Sequence, residues 1–218
     1  LLRRGAAEIV AVDVGYGQLI WRLQNDERVH VVDRTNVRHL DPETIGGAVD
    51  LIVADLSFIS LSLVLPALRA CLREGGDLVP MVKPQFEVGK DRVGSGGVVR
   101  DPELRATAVA DVADEAAALG LTTRGVVASP LPGPSGNVEY FLWLTTSGNV
   151  GSGAARSGVA GVGDDKVGNR IDLPTDGQHP ASSRQTDPAH FGDEKTSAES
   201  ERENRRRMIA DAVENGPR

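Results

Sequence analysis

The chain has 218 residues, a net charge of −7 and a single cysteine, Cys71. A modest acidic excess argues against a general nucleic-acid binder, and one cysteine excludes a disulfide within the chain. No stretch approaches the roughly 20 apolar residues that cross a membrane, and the first residues lack the layout of a signal peptide. These features predict a cytoplasmic protein with one sizeable core or two small ones.

Up to about Leu144, short apolar runs alternate with helix-patterned segments. The predicted strands are 8–14, 29–33, 49–55, 77–83, 122–128 and 138–144. Their apolar residues are continuous rather than alternating, which is typical of strands covered on both faces. The predicted helices are 60–74 and 101–120, the second with Asp101 as its N-cap and Pro102 at its first position. This alternation predicts an α/β fold with a mainly parallel, doubly wound sheet.

The composition changes after Thr145. The stretch that follows is rich in Gly, Ser, Asp and Pro, and its only aromatic residue is Phe191. Such a segment cannot bury enough apolar surface to offset about 1–2 kcal/mol of backbone ordering per residue. We therefore expect a domain over residues 1–145 and a disordered, low-complexity extension over 146–218, with at most a short charged helix around Met208, Ile209 and Val213.

Polar residues at the ends of the first two predicted strands suit a nucleotide. In an open α/β sheet, ligands bind beyond the carboxyl ends of the strands. Asp13 closes the first predicted strand, where a carboxylate either accepts hydrogen bonds from a ribose diol or forms a turn. Asn36 follows the second strand and either reads an adenine edge or shapes a turn.

Three charged residues emerge from three further apolar strands. Asp55 ends the run "VDLIVAD", Lys83 ends "DLVPMVK", and Glu139 lies early in "VEYFLWL". Each has a structural alternative, as a helix cap, a lysine that reaches solvent or a surface ion pair, but together they favour a shared site. An amine between two carboxylates suits deprotonation of a weakly acidic hydroxyl, either by accepting the proton or by stabilising the alkoxide.

Three stretches resemble the TlyA family, also called haemolysin A, whose members are ribosomal-RNA 2′-O-methyltransferases with an FtsJ-like catalytic domain. They are "IVADLSFISL" (52–61), "VPMVKPQFEVGKDRVGSGGVVRDP" (79–102) and "ASPLPGPSGNVEYFLW" (128–143). The resemblance implies a Rossmann-like methyltransferase sheet, S-adenosylmethionine as methyl donor, a cytidine ribose of ribosomal RNA as acceptor, and no metal. It assigns Asp55, Lys83 and Glu139 to the last three members of the family's catalytic Lys–Asp–Lys–Glu tetrad. It also assigns cofactor contacts to Asp13, Asn36 and Asp55.

The sequence departs from that family at its beginning. The resemblance implies an RNA-binding domain of the S4 type, the first tetrad lysine, a first sheet strand and a glycine-rich loop, and none of these is found in the sequence. We therefore expect a fold that lacks the first strand and this loop, and an isolated chain that binds S-adenosylmethionine poorly and methylates little.

The segment "EVGKDRVGSGGVVRD" carries three cations, Lys90, Arg92 and Arg100, which either meet RNA phosphates or belong to an ordinary mobile loop.

Other interpretations of the chain are a non-catalytic truncated remnant or RNA-binding module, a nicotinamide-dependent oxidoreductase, a base-amino methyltransferase and a membrane-lytic haemolysin. The oxidoreductase lacks its "GxGxxG" fingerprint. The base-amino enzyme is suggested by "DLSF", which loosely resembles the Asp/Asn-Pro-Pro-aromatic motif of enzymes that act on flipped bases. Leu56 and Ser57 stand where that motif has its two prolines. A membrane-lytic protein has no spanning segment to support it.

Overall fold

The structure is a computed structural model that describes residues 1–146 and 190–217. Its strands are β1 (Ile9–Val12), β2 (Val29–Val32), β3 (Val49–Ala54), β4 (Leu72–Val82), β5 (Leu121–Ala128) and β6 (Tyr140–Thr146). Its α-helices are α1 (Trp21–Gln24), α2 (Leu65–Ala70), α3 (Pro84–Glu87), α4 (Pro102–Ala118) and α5 (His190–Glu214). Each predicted strand has a counterpart, so the predicted α/β class is confirmed.

The strands form two sheets. Strands β1 and β2 make a parallel pair, and the second sheet has the order β3-β4-β6-β5. Strands β3 and β4 are parallel, whereas β6 runs antiparallel to both of its neighbours. The sheet is therefore less parallel than the sequence predicts, because the loop between β5 and β6 has no crossover helix, and a parallel connection needs one.

The predicted helix over 60–74 is wrong at its end. Helix α2 stops at Ala70, and the chain enters β4 at Leu72. Val49 donates its backbone N–H to the Cys71 carbonyl at 2.9 Å, and Val49 pairs with Leu72 in the ladder. Pairing with β3 thus overrides the helical pattern of this segment.

One hydrophobic core joins the helices to the larger sheet. Helix α4 begins as predicted, since the Asp101 carboxylate accepts the Glu103 N–H at 2.9 Å. Fully buried side chains of α2, α4 and the sheet pack together: Leu65, Leu68, Val109, Val112, Leu78, Leu142 and Leu144. This packing fixes β3, β4 and β6, whose ends carry the predicted site.

Helix α5 belongs to the same compact unit from Glu199 onward. Ile209 and Ala212 are buried in the main core, and Arg205 pairs with Asp114 of α4. The end of the expected extension is therefore a docked helix, longer than the short one around Met208, Ile209 and Val213. Residues 147–189 lie outside the described residues, so the domain boundary near residue 145 stays a prediction.

A search of the described residues for a helix long and apolar enough to cross a membrane found none.

Candidate functional site

Two of the predicted site residues touch at the carboxyl ends of β3 and β4. Lys83 Nζ lies 2.6 Å from Asp55 Oδ1. The lysine side chain is only 12% exposed, whereas that of Asp55 is 67% exposed. Because β3 and β4 are parallel, their carboxyl ends share one edge of the sheet, and the ion pair spans that edge.

Lys83 makes a second contact, with a residue that the sequence did not single out as a site residue. Its ammonium group donates to the Ser57 hydroxyl at 3.1 Å. The register of the parallel pair explains this, since Ala54 pairs with Pro80 and the same offset matches Ser57 with Lys83. The amine is therefore held by a carboxylate and a hydroxyl just beyond the sheet.

Glu139 reaches the same edge from the opposite direction. Strand β6 is antiparallel to β4, and Val82 pairs with Tyr140, so the next position of the register sets Lys83 opposite Glu139. The Glu139 residue is 7% exposed, and its Oε1 accepts a hydrogen bond from Gln85 Nε2 at 3.3 Å. Within the part of the chain that the structure describes, Glu139 forms no salt bridge. The three charged residues thus share one sheet edge, and among the ion pairs of the described residues only Asp55 and Lys83 of the three are joined.

The loop before β6 fits closely around the Glu139 carboxylate. A Cβ atom on Gly133 would lie 2.7 Å from Glu139 Oε1, which is closer than real Cβ contacts. The Gly133 N–H also donates to the Asn137 carbonyl at 2.8 Å. A side chain at residue 133 would therefore displace the buried Glu139 carboxylate from its present position.

Asn137 ties this loop to the segment that carries the predicted RNA-binding cations. Its buried side chain accepts the Val99 N–H at 2.9 Å and donates to the Gly97 carbonyl at 2.8 Å. Val88 and Val99 are also buried, against Ala108 of α4. The segment between them is therefore anchored at both ends, next to the charged edge.

The three cations of that segment lie on its surface. Lys90, Arg92 and Arg100 are exposed. Arg92 Nε donates to the Val88 carbonyl at 2.7 Å, and Arg100 makes a longer contact of 3.4 Å with the Ser95 carbonyl. These contacts leave most of each guanidinium in solvent, where it is available to an anion.

Glu87, at the end of α3, links two of the segments that carry the site. Its carboxylate accepts from the Ser60 hydroxyl at 2.6 Å and from the Leu61 N–H at 3.0 Å. Burial raises the pKa of Glu87 above its ordinary value, the two hydrogen bonds oppose that rise, and the charges of Glu115 and Asp111 on α4 add to it. The acid joins α3, which follows Lys83, to the turn that follows β3.

Asp13 and Asn36 lie together at the ends of β1 and β2, and both make turn contacts. Asp13 Oδ1 accepts the Gly15 N–H at 2.6 Å, and Asn36 Oδ1 accepts the Arg38 N–H at 3.0 Å. The Asp13 carbonyl also accepts the Thr35 N–H at 3.0 Å, which joins the two loops. Both side chains are exposed, and their roles in binding a cofactor stay predictions.

An exposed aromatic residue stands beside the ion pair. Phe58 is 92% exposed and has a φ of 64°, a left-handed conformation that is unusual for a bulky residue. Its ring centroid lies 5.4 Å from that of Phe86, at an angle of 49°. Sequence reasoning noted Phe58 only as part of "DLSF" and did not foresee its exposure. Strain at an exposed aromatic residue is a reason to look for a function.

Comparison with known proteins identifies the class. Residues 1–146 match the FtsJ-like methyltransferase family. That match covers most of the chain and contains every residue of the site, so the chain belongs to the FtsJ-like methyltransferase family.

Particular relatives agree with the resemblance seen in the sequence. The chain is 68% identical over 146 residues to the 16S/23S rRNA (cytidine-2′-O)-methyltransferase TlyA of Mycobacterium tuberculosis, covering 67% of this chain and 54% of that protein. It is 34% identical over 145 residues to the 23S rRNA (cytidine-2′-O)-methyltransferase TlyA of Campylobacter jejuni, covering 66% of this chain and 55% of that one. The chain thus spans about half the length of these relatives.

A solved structure supports the fold. A protein of Streptococcus thermophilus, described as a candidate hemolysin, superposes with a TM-score of 0.64 at 37% identity. The match covers 68% of this chain and 56% of that one. Together with the FtsJ-like methyltransferase match over residues 1–146, this superposition confirms the methyltransferase fold that the sequence predicted.

Proposed function

We propose that this chain carries the catalytic site of an S-adenosylmethionine-dependent RNA methyltransferase that acts on a ribose 2′-hydroxyl of cytidine in ribosomal RNA. The observation that carries the proposal is the Lys83–Asp55 ion pair of 2.6 Å at the carboxyl edge of β3 and β4. A lysine amine with little exposure, beside an accessible carboxylate, is suited to the removal of a proton from a substrate hydroxyl group.

Lys83 has the central role in this proposal. Asp55 and Ser57 contact its Nζ at 2.6 Å and 3.1 Å. These two contacts fix the position of the amine and leave it able to interact with a substrate as well. As a neutral amine it accepts the hydroxyl proton, and as an ammonium it stabilises the oxygen anion that forms. Either role leaves the ribose oxygen free to form its new bond to carbon.

Glu139 and Phe58 complete the acceptor side. The Glu139 carboxylate is buried next to Gln85 and opposite Lys83 in the strand register, which suits a group that orients the lysine and the ribose. The exposed ring of Phe58 offers a flat apolar face on which the base of the acceptor nucleotide can stack. Stacking would offset the cost of the positive φ, which is about 1–3 kcal/mol.

The cofactor side rests on Asp13 and Asn36. Asp13 is exposed and uses Oδ1 for the Gly15 N–H, which leaves Oδ2 for ribose hydroxyls. Asn36 uses Oδ1 as a turn cap and keeps its amide N–H groups to donate to a base edge. These donors and acceptors fit an adenosine group, and Asp55 would border the same site. When bound, S-adenosylmethionine supplies an electrophilic methyl group.

Ribosomal RNA and cytidine enter the proposal from the relatives' names. The Mycobacterium tuberculosis and Campylobacter jejuni proteins are both named as cytidine-2′-O methyltransferases of ribosomal RNA. The exposed cations Lys90, Arg92 and Arg100 fit an RNA backbone, because phosphate contacts position a substrate while base contacts specify it.

A chimera tests the proposal without depending on the isolated chain. Residues 1–146 would replace the matching part of the Mycobacterium tuberculosis relative, and methyl transfer to ribosomal RNA would be measured with nucleoside mapping of the product. We expect 2′-O-methylcytidine from the chimera, and a loss of about 10²-fold or more in kcat for Lys83→Met. Arg124→Met, an exposed cation on β5, serves as the matched control and should retain activity.

Other outcomes would contradict the proposal. A methylated base in place of a methylated ribose would favour the base-amino reading of "DLSF". Full activity of the Lys83→Met chimera would remove the lysine from the mechanism.

A further inference from the structure

Helix α5 packs on the domain with one face. From Glu199 onward its buried and half-buried residues recur every three or four positions, as on one side of a helix. They are Arg205, Met208, Ile209, Ala212, Val213 and Gly216. The helix lies outside residues 1–146, the span that matches the FtsJ-like family, so the family match assigns it no role.

Two kinds of contact hold α5 on the domain. Arg205 is 8% exposed and pairs with Asp114 of α4. Ile209 and Ala212 are buried in the main core. Because few side chains attach the helix, it can open locally while the rest of the domain stays folded.

The last residues of the docked face lie against both ends of one loop. A Cβ atom on Gly216 would lie 2.9 Å from the Cβ of Ala128 and 3.8 Å from Cγ1 of Val138. Ala128 is the last residue of β5, and Val138 directly precedes Glu139. Helix α5 therefore packs where loop 129–137 leaves β5 and where it returns to β6.

That loop positions the Glu139 residue. The Ser129 N–H donates to the Glu139 carbonyl at 2.7 Å, and the backbone of Gly133 lies against the Glu139 carboxylate. Asn137 joins the loop to the segment of exposed cations through the Val99 N–H at 2.9 Å. A shift of the loop would therefore move the acid and disturb the anchor of this segment.

We propose that α5 is a positioning element for the acceptor side of the site: by packing on Ala128 and Val138, it holds loop 129–137 in the conformation that places the Glu139 carboxylate. The inference that α5 holds the loop stands on the contacts given above. Its consequence for methyl transfer rests on the proposed function, which gives Glu139 its role.

Hydrogen exchange of the full chain tests whether α5 holds the loop. Arg205→Asp places a second carboxylate beside Asp114 and should release α5, because repulsion replaces an ion pair. We expect the amides of Gly133 and Gly136, which donate within the loop at 2.8 Å, to exchange about tenfold faster or more. The amides of β3, at the edge of the sheet far from β5, should keep their parent rates.

Three further variants serve as controls. Arg206→Asp makes the same change at an exposed neighbour and should leave exchange of the loop unchanged. Asp114→Arg combined with Arg205→Asp restores the pair with its charges exchanged and should restore the parent rates. Ile209→Ala weakens the apolar contact without adding a charge and should accelerate the same loop amides.

The effect on methyl transfer is measured in the chimera described above, extended to residues 1–218. Arg205→Asp should lower kcat about tenfold, while KM for S-adenosylmethionine stays within about twofold of the parent value. The cofactor residues Asp13 and Asn36 lie at the ends of β1 and β2, in the other sheet, and are not touched by this change. The charge-exchanged double variant should regain kcat.

Several results would overturn the inference. They are equal loop exchange in the Arg205→Asp and Arg206→Asp variants, fast exchange of α5 without faster exchange of the loop, and acceleration of β3 together with the loop. Unchanged kcat in an active chimera whose loop is released would also remove α5 from the positioning of Glu139. An inactive chimera of parent sequence contradicts the proposed function alone, since the exchange measurement decides by itself whether α5 holds the loop.

Discussion

Replacing Gly133 by alanine places one methyl group against the buried Glu139 carboxylate. The new Cβ would lie 2.7 Å from Oε1, whereas ordinary contact begins at 3.4 Å, so the carboxylate must move by ~0.7 Å. That movement forces an unfavourable rotamer, at about 0.5–1.5 kcal/mol, and breaks the Gln85 hydrogen bond, at about 0.5–1.5 kcal/mol. Alanine also lowers the conformational entropy of the unfolded chain, which stabilises the folded state by about 0.4–1 kcal/mol. We expect the free energy of unfolding to fall by about 1.3 kcal/mol, the midpoint of a range of ~0 to 2.6 kcal/mol.

A double-mutant cycle makes the test sharp. Gly133 does not have a positive φ, so its backbone accepts alanine without strain. In a Glu139→Ala background the obstacle is gone, and Gly133→Ala should be neutral or should stabilise the chain by up to about 1 kcal/mol. The measurement is urea unfolding, followed by tryptophan fluorescence, to which Trp143 in β6 and Trp21 in α1 contribute. Equal effects of Gly133→Ala in both backgrounds would refute the view that the loop clamps Glu139.

Three further predictions concern stability and reactivity. Because burial raises the pKa of Glu87, its contribution to stability is complete below the ordinary pKa and is lost as the pH rises through the folded-state pKa. The difference in stability between Glu87→Gln and the parent should therefore shift in favour of the variant as the pH rises above the ordinary carboxyl pKa of about 4, measured by urea unfolding. Ile209→Ala should lower the free energy of unfolding by about 2–5 kcal/mol, because Ile209 is buried in the core, while the exposed control Arg206→Ala should stay within about 0.5 kcal/mol. Cys71 is fully buried, and burial together with the charge of Asp41 raises the pKa of its thiol, so iodoacetamide should label it slowly in the native chain and readily in urea.

Each of these expectations has a contrary result. A constant difference between the glutamine variant and the parent across that pH range would show that Glu87 titrates normally in the folded chain. Wild-type stability of Ile209→Ala would mean that α5 is not docked in solution. Fast labelling of Cys71 without denaturant would show that the thiol is accessible.

The sequence predicts the strands well because their apolar runs are long and continuous, as in "VDLIVAD". It also predicts the start of α4 from Asp101 and Pro102, since capping is local chemistry. It predicts the direction of β6 poorly, because direction depends on what connects β5 to β6 and on how β4 pairs. The segment after Cys71 is misassigned for the same reason: its helical spacing is local, whereas its pairing with β3 is not.

The candidate site shows the same distinction between features set by local sequence and features set by contacts between distant residues. The proximity of Asp55 and Lys83 follows from their positions at the ends of neighbouring strands. The contacts of Gln85 with Glu139 and of Asn137 with Val99 depend on loop packing across distant parts of the chain. No pattern within "SPLPGPSGN" indicates that Gly133 must leave room for a carboxylate. The exposure of Phe58 depends on a backbone conformation that composition does not reveal.

The antiparallel pairing of β4 with β6 has a consequence for how the molecule matures. Lys83 and Glu139 are brought opposite each other only by the alignment in which Val82 meets Tyr140, and the Trp143 indole N–H to Asp77 contact of 2.7 Å helps to lock that alignment. A slip by a single residue would turn Glu139 to the other face of the sheet and would also take the buried Tyr140, Leu142 and Leu144 out of the core. Burial of β6 in the core and placement of Glu139 opposite Lys83 are therefore set by one alignment, so a chain that completes its core has also assembled this part of the candidate site.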